Sequence, residues 1–324
     1  MRSIQRLLFA LGLGLFGLNV WQMPLAAQGW PQRTVKFIVP LGPGSGVDIG
    51  ARLFADRLAA RWGQPVVVEN RPGGDGIIAI SAFVGAHDDH ILLYSATSSF
   101  TAHPYLHDNL PYKPGDLLPI ARVSNTMIAF AVPAALKIAS LSELFALVRA
   151  QPGKLNWAAT TGALDFLIEG FLKSDGLNMA KVPYRNPVEA ANDLAEGRVQ
   201  VYEAALAIVQ PQLQAGKIRV LAVTNGTRTP SAPEVPTVTE AGYPGLAVDG
   251  LVGLFGPPGM PVEFRERIAA DVRAVAVDPI IIDRLTVTGQ LLNIGGATAF
   301  ADDIEAQRAK LATTAKGLDI KEAR

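Results

Sequence analysis

The chain has 324 residues, 49% of them hydrophobic, with 29 basic and 29 acidic side chains. That length accommodates one large domain or two with ordinary cores. The balanced charge offers no basic stripe for a nucleic acid to follow. Cysteine is absent, which excludes disulfides, thiolate metal sites and cysteine nucleophiles.

Residues 1–27 are predicted to be a signal peptide. Arg2 and Arg6 form a short basic region, the run from Leu7 to Val20 is apolar, Pro24 breaks it, and Leu25-Ala26-Ala27 offers small residues for cleavage. The run is shorter than the roughly 20 apolar residues needed to span a bilayer. The two arginines are not adjacent, which argues against a twin-arginine signal. A soluble periplasmic protein is therefore expected.

Beyond residue 30, strand-like and helix-like segments alternate, which predicts an α/β fold with largely parallel sheets. The stretch "TVKFIVP" reads as a strand, followed by a glycine-rich turn and a helix from Val47 to Trp62 with Gly63 as its stop. Gly44, Gly46 and Gly50 spell G-x-G-x-x-x-G, and the next strand, "PVVVE", ends on Glu69 about where a dinucleotide fold places its ribose-binding acid. The same turn can serve another anion, because Gly42, Gly44 and Gly46 let several N–H groups face one point. Asp48 falls in the first helical turn, where its carboxylate can cap exposed amides.

"HILLYS" then runs into "ATSSFTAHP". Thr97, Ser98, Ser99 and Thr101 become a ligand loop if they sit at the C-terminal end of a parallel strand. His87, His90, His103 and His107 are of the type that binds zinc, but one pair precedes that strand and the other follows its loop, so no metal site is expected. Ser140 and Glu143 form a capping box ahead of "LSELFALVRAQ". "KLNWAA" leads to Thr160, Thr161 and Gly162, a second set of donors. "AKVPY" leads to Tyr184 and Arg185, the latter either paired with a ligand carboxylate or exposed at the surface. "RVQVY" is a further strand, followed by "EAALAIVQP", and "IRVLAVT" another. After "DGLVGLFGPPGMP", helices are predicted near 262–276, 279–286 and 297–316. The similar strand ends "RVSNT" and "AVTNGT" bracket a βαβ series of their own, the pattern of an inserted domain reached by two crossing strands. Catalytic motifs such as G-x-S-x-G, S-x-x-K and H-E-x-x-H are absent from the sequence, and no catalysis is expected.

The segments "VPLGPGSGVDIGARLFADRL", "GQPVVVENRPGG", "PYLHDNLPY", "LNWAATTG", "VPYRNPVEAANDLAEGRVQV", "QAGKIRVLAVTNGTRTPSAPEVPTVTEAGYPG" and "GLFGPPGMP" occur in one order along the chain. In this they resemble the substrate-binding receptors of tripartite tricarboxylate transporters, the Bug-type periplasmic receptors. The resemblance implies a type II periplasmic-binding-protein fold, two βαβ lobes around a ligand cleft. Domain 1 would cover 28–123 plus 227–324, and domain 2 would cover 124–226. A small organic carboxylate would lie in the cleft and be delivered to the membrane subunits of the transporter, with no cofactor and no nucleic-acid partner. The ligand contacts implied are Gly44, Ser45, Gly46, Val47, Asp48, Thr97, Ser98, Ser99, Thr160, Thr161, Gly162, Tyr184, Arg185 and Ala204. The chain departs from the family pattern at Gly44-Ser45-Gly46-Val47-Asp48, at Asp75 where a glycine is commoner, and at Ala204-Ala205 where an Asp-Asn pair is usual. With Leu164, Phe166 and Leu206 nearby in sequence, the last change suggests a ligand with an apolar body. An exported NAD(P)-binding oxidoreductase and a sensory binding protein uncoupled from transport are the alternatives.

N-terminal sequencing of exported protein is expected to begin near Gln28. An intact Met1 in the membrane fraction would mean an anchored form instead.

Overall fold

Val35, Phe37, Ile38 and Val39 are buried in the first strand, β1 (Val35–Val39), which starts a sheet. The computed structural model describes residues 29–160, 162–184 and 186–322, so the expected signal peptide, Thr161 and Arg185 lie outside the described residues. After β1 come α1 (Gly46–Trp62), β2 (Val66–Asn70), α2 (Ile77–Ala86), β3 (Ile91–Ala96), the short α3 (His103–Leu106) and β4 (Leu118–Thr126). Next follow β5 (Ile128–Pro133), α4 (Leu141–Ala150), β6 (Asn156–Ala159), α5 (Gly162–Ser174), β7 (Ala180–Lys181), α6 (Pro187–Ala195), β8 (Val201–Ala205), α7 (Leu206–Gln214) and β9 (Ile218–Val223). The chain ends with β10 (Gly250–Gly256), α8 (Val262–Val275), α9 (Pro279–Val287), β11 (Gln290–Gly295) and α10 (Ala297–Leu318).

The strands form two sheets, in the orders β11-β4-β10-β3-β1-β2 and β7-β6-β8-β5-β9. The expectation of largely parallel sheets is corrected. Among the described residues four strand pairings are parallel and five antiparallel. The βαβ units supply the parallel pairs. In the first sheet β10 and β11 run opposite to β1–β4, and in the second β5 alone runs opposite to β6–β9, which gives the antiparallel pairs.

Local chemistry explains most boundaries. Ser45 caps α1 by accepting the Asp48 N–H at 3.2 Å, and Gly63, at φ +66, ends the helix in the left-handed region. Ser140 opens α4 in the same way. At "RVQVYEAA" the strand lies later than the sequence suggests. The Arg198 and Val199 amides turn back to the Asp193 carbonyl, and pairing with β6 begins only at Val201, so Glu203-Ala204-Ala205 belong to β8.

The chain crosses between the sheets at Thr126–Ile128 and returns at Thr224. Asn225 ties the two crossings together: its Oδ1 accepts the Ile128 N–H at 2.8 Å, and its Nδ2 donates to the Thr126 carbonyl at 2.9 Å. Thr224 completes the joint, its N–H bonding to the Ile128 carbonyl and its hydroxyl to the Val248 carbonyl, both at 2.9 Å. On another side α10 packs against both parts. Leu311 and Ala315 join Ala102, Ile128, Leu164, Leu167 and Val248 in one buried cluster. At Gly170 of α5 a Cβ would come within 2.2 Å of Thr314 Cγ2, so the two helices meet at backbone distance.

Asn225→Ala would orphan two backbone groups inside this joint, at about 1–3 kcal/mol each. The variant is expected to melt lower by roughly 5 °C or more, measured by calorimetry. An unchanged melting temperature would show that the joint holds without it.

Candidate functional site

Both sheets turn the same kind of edge toward the crossings. In the first, the ends of β1, β3 and β4 lie together, with Ala96 opposite Val252 and Thr126 opposite Gly250. In the second, β6 and β8 end side by side, and Ala205 pairs with Ile128 just after the crossing. Helices α5 and α7 follow β6 and β8 at once, α1 follows β1 after the glycine loop and α2 follows β2. Loop contacts bring the starts of α5 and α2 together and those of α1 and α7 together. A first turn leaves N–H groups without intrahelical partners and carries partial positive charge. Gly76 before α2 and Ala205 before α7 make no side-chain cap.

In the α1 loop, Gly44 adopts φ +83, which an L side chain rarely tolerates. Its N–H donates to Asp48 Oδ2 at 2.9 Å. Asp48 is nearly fully buried and also accepts from Arg52 Nε at 3.1 Å and from Asn70 Nδ2 at 2.8 Å. Burial opposes its ionisation, but the bonds from Arg52, Gly44 and Asn70 outweigh that and hold the carboxyl below its usual value. Asp48 is thus an internal cap with its oxygens occupied. Gln290 fixes the loop from beneath, donating to the Gly46 carbonyl at 2.6 Å and accepting from Ser124 Oγ at 2.8 Å. The adjoining Gly289 lies against the start of α7, where a Cβ would be 3.3 Å from the Ala207 nitrogen. The α1 and α7 ends are thereby linked through one turn.

The second group of loops surrounds α5. Thr97–Ser99 form a 3₁₀ turn at the end of β3 that packs against α5. All three are buried, as is Thr101, and the hydroxyls of Thr97 and Thr101 have no hydrogen-bond partner. Gly76 approaches Ser99, its Cβ position being 3.2 Å from the Ser99 carbonyl oxygen. A Cβ at Gly162 would fall 2.6 Å from Asp75 Oδ2 and 2.7 Å from Leu106 Cδ1, so the start of α5 meets the α2 loop and α3 directly. Tyr105 stacks on Phe166 across the same junction, with centroids 5.6 Å apart.

Several expected contacts lie elsewhere. Ala204 is fully buried on the other face of β8, packed with Ala190, Ala191 and Leu206, because strand alternation turns it from the Glu203 face. Leu164, Phe166 and Leu206 also point into cores, so they do not shape the cleft as their sequence proximity suggests. The Tyr184 hydroxyl donates to Asp193 at 2.6 Å. Burial, and then that bond, push its pKa up to about 12. Thr160 is half-buried beside α5, with its N–H on the Glu203 carbonyl. Glu69, the acid in the dinucleotide alternative, is held by Lys36 at 2.6 Å and by Arg71. Gly50 answers a packing need: a Cβ there would lie 2.8 Å from Tyr94 Oη.

The sequence profile of the tripartite tricarboxylate transporter family receptor matches residues 50–308. The chain belongs to this family. BugT of Bordetella pertussis is 32% identical over 262 residues, covering 79% of this chain and 80% of BugT. Among solved structures, R. palustris Rpa4515 with adipate is 28% identical with a TM-score of 0.77, over 90% of this chain and 99% of that one. MatC from Rhodopseudomonas palustris with bound malate is 27% identical with a TM-score of 0.76, over 88% of this chain and 99% of that one. The family is one of periplasmic solute-binding receptors with a two-lobed α/β fold, and BugD, a periplasmic binding protein, is another structural neighbour. Among the described residues no helix is long and apolar enough to cross a membrane.

The sequence leaves open whether Glu203, a buried acid near α5, faces the cleft. Glu203 is only 1% exposed, and its Oε2 has no hydrogen-bond partner. Burial, reinforced by nearby Asp165, raises its pKa well above the ordinary 4.5. Because the folded value exceeds the unfolded one, Glu203 favours folding below about pH 4.5, and that contribution is lost as pH rises toward the folded pKa. Glu203→Gln is expected to abolish this dependence, so its melting temperature relative to the native chain should rise between pH 5 and pH 8. A pH-independent difference would mean that Glu203 is ionised throughout.

Proposed function

We propose that the protein captures a small organic mono- or dicarboxylate in its cleft after export to the periplasm, and delivers it to the membrane subunits of a tripartite tricarboxylate transporter. The reading rests above all on the pairing of helix N-termini through loop contacts, α5 with α2 and α1 with α7, two of them without a side-chain cap. The expected contacts are the amides of Gly46 and Val47, the hydroxyls of Ser45, Thr97, Ser98, Ser99 and Thr160, and the backbone at Gly162. The Gly44 and Thr160 N–H groups are already bonded to Asp48 and to the Glu203 carbonyl. Asp48 acts behind them as the fastener of the first loop. The structural relatives solved with adipate and malate support this class of ligand.

Magnitudes permit it. A helix N-terminus contributes about 0.3–1 kcal/mol at the surface and up to ~2 when partly buried. Hydrogen bonds to a charged group add about 1.5–3 kcal/mol each. A few of each reach the roughly −8 kcal/mol of micromolar affinity after the cost of association. Ligand held from both lobes would favour the closed arrangement, with the joint at Ser124-Asn125 and Thr224-Asn225 as the hinge.

The test is a thermal-shift panel of adipate, malate, citrate, aromatic acids, sugars and amines. A cognate acid at about one hundred times its dissociation constant adds ~2.7 kcal/mol of stability. The melting temperature should rise by on the order of 5 °C. A response to sugars or amines with none to any carboxylate would refute the reading, as would saturable binding of a nicotinamide cofactor.

A further inference from the structure

A receptor cleft built from amides and hydroxyls for an anion should not contain a carboxylate, yet this one does. Asp75 extends to the first turn of α5, the helix that also carries Asp165. The loop holds it there: Gly73, Gly74, Asp75 and Gly76 all have positive φ, Asp75 at +53. Beside it stand His103, which opens α3, and His107, which follows it, with ring centroids 5.2 Å apart. One ligand atom from each of Asp75, His103 and His107 lies within 4.8 Å of the others.

We propose that Asp75, His103 and His107 bind a divalent transition-metal ion of the zinc class at the mouth of the cleft. Three observations carry the assignment. His103 is 1% exposed, and its buried Nε2 meets no hydrogen-bond geometry, with Asp75 as the group it faces. The other ring nitrogen, Nδ1, is 2.5 Å from the Tyr112 hydroxyl. That contact fixes the ring orientation through an outer partner, and with the Nδ1–H donated to the phenol oxygen the lone pair falls on Nε2, the tautomer a metal requires. Finally, Nε2 is 3.3 Å from Asp75 Oδ2. Two tetrahedral ligands at about 2.1 Å from zinc stand roughly 3.4 Å apart, so this edge already has the required length.

Two histidines and one carboxylate leave positions for water or a ligand atom. The ion would offset the charge of Asp75 and remove the conflict with an anion-binding cleft. The sequence reading expected no metal because it considered the two histidine pairs together. The structure separates them, His90 going with Asp88 and Asp89, and brings Asp75 to the other pair.

The experiment uses the full mature protein without a histidine tag, stripped with chelator and titrated calorimetrically with Zn²⁺ alone. One equivalent is expected to bind at micromolar concentration or tighter. Asp75→Asn and His107→Ala, both at partly exposed positions, should each weaken binding at least tenfold, with unchanged circular dichroism. Asp89→Asn, in the other cluster, should have no effect. Co²⁺ in place of zinc should give visible bands that disappear in His107→Ala. Failure to bind zinc would overturn the proposal and leave the three groups as an ion-pair cluster. Binding unaltered by Asp75→Asn and His107→Ala, or abolished by Asp89→Asn, would overturn it as well. Because no carboxylate is present, these outcomes are independent of the organic-acid reading.

Discussion

The passage of the chain between its two sheets is tied by a pair of hydrogen bonds made by one side chain. Asn225 reaches across to accept from Ile128 and donate to Thr126, either side of Met127, doing with an amide what a neighbouring strand would do with its backbone. Without it the crossing would leave buried polar groups unmet where the chain passes from one sheet to the other. With it, the two sheets stay joined at the crossing, beside the helix starts that follow β1, β2, β6 and β8. Gln290 performs a similar task one layer away, joining β4, the α1 loop and the Gly289 turn.

The electrostatics beside the crossing are mixed. Asp48 is surrounded by donors and contributes little free negative charge to the cleft. Asp75, Asp165 and Glu203 cluster at the α5 end. Burial raises the pKa of Asp165, against the pull of Lys181 at 2.8 Å, and Glu203 is shifted further. The unneutralised acidic groups therefore lie at the α5 end rather than at the α1 and α7 end.

The sequence was most legible where local chemistry decides the outcome. The limits of α1, α4, α6 and α9 follow from Ser45, Ser140, Asn186 and Asp278, each an N-cap whose side chain accepts a first-turn amide. Pairing partners were less legible. β8 starts at Val201 because β6 is there to receive it, which nothing in "RVQVY" states. No element was expected over 290–295, where β11 borders β4. The resemblance implied a cleft position for Ala204, where the family usually has an Asp-Asn pair, but strand alternation sends its side chain into the core. The grouping of Asp75 with His103 and His107 needed tertiary structure, since α2 and β3 separate them along the chain. One signal was present in advance: an aspartate where a glycine is commoner marks a loop with a different purpose.

The contact between Gly170 and Thr314 sets how this molecule can open. Because α10 touches α5 at backbone distance there, that point makes a natural fulcrum. From Gly170 back to Gly162 the helix forms a rigid arm about 12 Å long, at ~1.5 Å rise per residue. Tilting such an arm by about 10° moves its tip by roughly 2 Å. That displacement is enough to part Gly162 from Asp75 and let solvent or solute between them. The start of α5 is thus geometrically sensitive to small changes at its contact with α10, over and above any movement at the crossing joint.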